Sequence, residues 1–112
     1  MTDSFTMSLV AKAEILGWHV AGWSESEWEF SRISPAGEDF IFEITAERSE
    51  DVWVKIYKFA KNFDIYDHAL ARCSGEDEQK FEAMLDDAYD LKEMMEELAD
   101  ALEELTEMEE AA

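Results

Sequence analysis

Apolar residues recur along the chain with two different periods, and each change of period marks an element. Phe5, Leu9, Ala13 and Leu16 fall at helical spacing, with Val10 flanking. Asp3 or Ser4 offers an N-cap, and Gly17 accepts the left-handed conformation that ends a helix. The spacing predicts a first helix over residues 4–16. From Trp18 to Ala46 the period shortens. Trp18-His19-Val20-Ala21-Gly22-Trp23 alternates large and small groups, Glu27 to Ile33 alternates polar and apolar, and Phe40-Ile41-Phe42-Glu43-Ile44 is β-favouring. Ser24-Glu25-Ser26 reads as one turn, with Gly22 as a bulge that aims Trp23 outward. Ser34-Pro35-Ala36-Gly37-Glu38-Asp39 reads as a second turn, with Pro setting φ and Gly accepting positive φ. The expectation is a three-stranded antiparallel meander with Trp28, Phe30, Phe40, Phe42 and Ile44 facing one core.

The helical period then returns. Ser49 reads as a cap, Glu50 and Asp51 suit a first turn, and Val52, Ile56, Phe59, Ala60 and Phe63 form a stripe. Lys55, Lys58 and Lys61 lie on the opposite side. This helix is expected to end near Asn62. Residues 64–75 read as irregular, with at most one short turn. A long last helix is expected from Glu76 or Asp77. Its apolar positions, Phe81, Met84, Ala88, Leu91, Met95, Leu98, Leu102 and Leu105, alternate in steps of three and four, an unbroken heptad. Many flanking positions, Leu85, Ala99, Met94 and Ala101 among them, are also apolar. That widens the seam to one suited to packing on a sheet or in a bundle.

Charge changes the picture most in that last helix. The chain has 112 residues and a formal net charge of -20. Residues 1–73 carry 13 acidic and 7 basic residues, and residues 74–112 carry 16 and 2. Ten of the twelve outer heptad positions from Glu82 to Glu107 are acidic. Like-charged neighbours three and four residues apart cost a helix a few tenths of a kcal/mol per pair (~0.2–0.5). A solubilising face would ordinarily mix both signs. Carboxylates on one helix face recur at about 5–6 Å, a scale close to that of phosphates along a nucleic-acid strand. A rigid acidic helix can therefore fill a groove built for phosphates.

Direct nucleic-acid binding and attachment to an anionic membrane are disfavoured by the same charge. The first 17 residues have no signal-peptide pattern and no apolar run reaches membrane length. The lone Cys73 suits a reducing compartment. His19 reads as a structural strand residue. His68 and Cys73 are the sole pair of nucleophilic type, without a surrounding signature. Asp86, Asp87 and Asp90 lack a calcium-loop pattern, and no glycine-rich phosphate loop exists. Trp18, Trp23, Trp28 and Trp53 exceed what a core this small comfortably takes. Some should border the sheet, or form an aromatic anchor patch for a protein partner.

Gly17-Trp18, Trp28-Glu29-Phe30-Ser31 and the turn from Ser34 to Phe40 together resemble small acidic accessory proteins of phages and conjugative elements of Gram-positive bacteria. Those proteins share a Gly-Trp motif, a similar Ser-Pro-Ala-Gly turn and a long acidic C-terminal helix. The resemblance implies a setting like that of anti-CRISPR and anti-restriction proteins, several of which mimic nucleic acid.

The expectation is a single α+β domain of order α-β-β-β-α-α, with residues 1–73 as an α-βββ-α core and 74–112 as an acidic amphipathic helix. The expected function is inhibition by protein binding in the cytoplasm of a bacterial host, without enzymatic activity or cofactor. Asp86, Asp90, Glu93, Glu97, Asp100, Glu104 and Glu107 would occupy the DNA- or PAM-reading cleft of a basic host protein, a Cas9-type effector or a restriction enzyme. The alternative is an assembly module that homodimerises through the last helix.

Overall fold

The computed structural model describes residues 4–21, 26–73 and 78–111. Its order is α1 (Ser4–Ile15), β1 (His19–Ala21), β2 (Glu27–Ile33), β3 (Asp39–Thr45), a 3-10 turn (Ser49–Asp51), α2 (Val52–Lys61), α3 (Ile65–Ala71) and α4 (Glu78–Ala111). The α+β class and the antiparallel order β1-β2-β3 match the expectation. The Asp3 cap, the Gly22 bulge, Trp23 and most of the first turn lie outside the described residues.

α1 ends as Gly17 allows. Gly17 has φ of 94°, its N–H donates to Glu14 O, and the Trp18 N–H donates to Ala13 O. This paired closure satisfies two terminal carbonyls and aims Trp18 into the core. Arg32, from the end of β2, supplies what the sequence did not reveal. Its Nη1 donates to Leu16 O at 3.3 Å, and its guanidinium lies 5.1 Å from the Trp18 ring centre. A cation thus meets the negative end of α1 and covers an aromatic face.

In the sheet, Phe30 pairs with Val20 on one side and Phe42 on the other. The even-numbered residues share one face, and Trp28, Phe30, Phe40 and Phe42 are buried there, with Ile44 half-buried. Trp18 meets Phe42 edge-on at 5.4 Å, and Phe59 of α2 stacks on Phe42 at 4.9 Å. The Pro35 turn closes as expected: Gly37 has φ of 84° and its N–H donates to Ser34 O.

Three local expectations are corrected. Ser49 does not cap α2. It sits in the 3-10 turn and its hydroxyl bonds Thr6 of α1, while Asp51 holds the α2 N-cap position without a side-chain bond. Residues 65–71 form two helical turns, capped by Asp64, whose carboxylate accepts from the Asp67 N–H at 3.0 Å. Trp18 does not border the sheet but is 2% exposed; Trp28 is 4% exposed on the core face where alternation put it, and donates to Ala46 O from inside. Trp53 is half-buried against the same core.

α4 sets the shape. Its 34 residues span about 51 Å at about 1.5 Å per residue, and the molecule measures 53 × 24 × 22 Å. Met84, Ala88, Leu91, Met95, Leu98 and Leu102 are buried, and α4 packs on α1, α2 and α3. Leu91, Met95, Leu98 and Leu102 join the core that holds Trp18, Phe30 and Phe42. The heptad seam is covered by the chain's own elements.

Candidate functional site

The acidic face follows from which side of α4 that seam occupies. Once the apolar stripe is buried, the b, c and f positions can only point outward. Asp86, Asp90, Glu93, Glu97, Asp100, Glu104 and Glu107 are all exposed. Successive residues of an α-helix turn by about 100°, so these seven fall within an arc of about 100°. From Asp86 to Glu107 they extend for about 31 Å along the axis. Lys80 and Lys92 are the bases of α4, and Lys92 is half-buried. The result is a continuous, nearly single-sign ridge on a single helix.

Asp87 departs from its neighbours. It is 3% exposed, and its Oδ1 accepts the Ala36 N–H of the β2–β3 turn at 2.9 Å. Its Oδ2 is buried and has no hydrogen-bond partner among the described residues. Asp87 therefore ties the turn to α4 and is buried, whereas Asp86 and Asp90 are exposed. Among the described residues no group of three or more potential metal ligands occurs. Asp87→Asn keeps the acceptor for Ala36 and removes a buried charge, and is expected to melt no lower than the wild type. Asp87→Ala loses the bond and is expected to cost about 1–2 kcal/mol. Equal losses in thermal melts of the two variants would mean that the charge itself is required.

Among the described residues no hydrogen bond joins His68 to Cys73. Arg72 Nε donates to His68 Nε2 at 2.9 Å, and the imidazole lies against Phe40 and Phe63. The Cys73 thiol faces Leu70 O. Burial first, and then the Arg72 charge, hold His68 below its ordinary pKa, while Asp87 pulls the other way. Arg72 and two phenylalanine rings thus fix the imidazole in place. His19 opens β1, as expected of a strand residue, and is exposed on the outer face of the sheet.

Among the described residues the exposed aromatic side chains are tyrosines. Tyr57, Tyr66 and Tyr89 are exposed, whereas Trp18 and Trp28 are buried. Tyr66 of α3 and Tyr89 of α4 line an open groove of about 600 Å³ together with Phe63, Ile65 and Leu85. A charged ridge of this kind is destabilised by its own repulsion. Raising salt from about 0.01 M to about 1 M shortens the Debye length from about 30 Å to about 3 Å. The melting temperature should rise over that range. A flat or falling curve would mean that the repulsion is already offset.

Comparison with protein-family models, curated proteins and solved structures finds no match. Among the described residues no helix is long and apolar enough to cross a membrane.

Proposed function

We propose that this chain is an inhibitor that acts by binding, with the outer face of α4 standing in for nucleic acid in the basic cleft of a bacterial defence nuclease of the CRISPR or restriction type. The observation that carries the reading is the ridge of seven exposed carboxylates from Asp86 to Glu107 on one side of a single helix. Its length of about 31 Å matches the axial rise of roughly nine base pairs at about 3.4 Å each. Its sign is opposite to that of the lysine- and arginine-lined grooves that hold phosphates. In this role the protein works in the bacterial cytoplasm, uses no cofactor and catalyses nothing, as a small accessory protein of a phage or conjugative element would. Burial of the heptad seam within the chain supports this reading over homodimerisation through α4.

The test is equilibrium binding to purified nucleic-acid-handling proteins, Cas9-type effectors and restriction enzymes among them, at low and high salt and with labelled DNA present. Binding that weakens with salt and releases the DNA is the expected result. Failure to bind any of them at low salt, or binding that leaves the DNA in place, would overturn it.

A further inference from the structure

Exposed ion pairs steer and orient a partner but each adds only about 0–1 kcal/mol. A protein that binds tightly through such a ridge also needs an anchor. Among the described residues, the exposed aromatic side chains of the open groove beside the ridge are Tyr66 and Tyr89. They are 58% and 56% exposed, a large fraction for residues whose rings the core could have used. Tyr66 is braced by an edge-on contact with Phe81 at 5.3 Å, which links α3 to α4. Lys61 and Asp64 also line the groove and offset each other in formal charge.

Helical geometry sets Tyr89 between two surfaces. Leu85, four residues before it, forms the apolar wall of the groove. Asp86 and Glu93 lie three residues before and four after it, the spacings at which helical side chains are neighbours. Both carboxylates are exposed. A cation lying on the Tyr89 ring is thus within reach of an acid on either side. Arginine meets both demands: its guanidinium is planar and weakly hydrated, stacks on aromatic rings, and pairs with carboxylates through a rigid fork. Lysine offers a compact, strongly hydrated point charge that suits the carboxylates but gains less from the ring.

We infer that the α3–α4 groove at Tyr66 and Tyr89 is an arginine-selective anchor, and that the partner of the acidic ridge presents an exposed arginine there. The inference rests on the proposed reading that the ridge meets a basic protein surface. It adds which basic side chain the surface selects and where.

Titration of the full chain with nonaarginine and nonalysine at low salt tests it. The wild type is expected to bind nonaarginine about tenfold more tightly than nonalysine. The variant Tyr66→Leu/Tyr89→Leu should bind the two peptides alike, with the salt dependence of binding unchanged and the helical circular dichroism retained. Single Tyr89→Phe keeps the ring and should keep most of the preference. Equal affinity of the wild type for both peptides overturns the anchor but leaves the acidic ridge standing, as does a preference that survives in the double variant. Failure of the wild type to bind either peptide at low salt overturns the ridge reading and the anchor with it.

Discussion

Leu98→Ala is expected to destabilise the protein by about 3 kcal/mol, a sizeable part of the roughly 5–15 kcal/mol that holds a domain of this size. Leu98 is fully buried and belongs to the cluster that joins α4 to Trp18, Phe30 and Phe42. Truncation removes apolar area and leaves a space that the aromatic sheet face cannot close. At about 4 °C per kcal/mol the melting point should fall by about 12 °C. Glu97→Ala, one residue away and exposed, is the control. It removes a like-charged neighbour of Glu93 and Asp100 and should hold or slightly raise the melting point. If the two variants melt together, α4 is not packed on the core by this face.

That contrast between adjacent residues was legible in the sequence because a heptad assigns each position of a long helix to one side. The same logic carried the β2 and β3 faces, where alternation is strict, and the end of α1, where Gly17 stood alone after an apolar stripe. It failed where structure depends on few residues or on distant ones. α3 is too short for a period to emerge; its signal was Asp64 with an amide three residues on, a cap that composition alone does not single out. In the sequence Asp87 stands beside Asp86 and Asp90 as one acid of three. Its burial depends on the Ala36 amide 51 residues away, which no local pattern encodes. Volume alone put Trp18 at a sheet border, yet a Schellman closure gives it a specific place inside. The exposure of the seven carboxylates from Asp86 to Glu107 was legible from the heptad. The groove beside them was not, because its two walls come from α3 and α4.

The largest effect on function is expected from reversing four ridge charges together. Asp90→Lys/Glu93→Lys/Glu97→Lys/Glu104→Lys changes sites that are all exposed on one side of α4, and with two charge units per site it takes the net charge from -20 to about -12. If the proposed binding to a nuclease cleft holds, any single reversal should weaken it by no more than about fivefold, since an exposed pair contributes about 1 kcal/mol at most. Four reversals both remove attraction and add repulsion against the same basic groove. Loss at low salt should exceed about a hundredfold and fall mainly on the association rate, because steering is the first thing lost. The matching amide variant, Asp90→Asn/Glu93→Gln/Glu97→Gln/Glu104→Gln, removes attraction without adding repulsion and should fall between. Neither set disturbs the buried seam, and both relieve repulsion along α4, so their melting points should equal or exceed that of the wild type. Weakened binding by a protein that melts no lower cannot be assigned to unfolding. Binding that survives the four reversals would return the ridge to a solubilising role and leave inhibition without its contact surface.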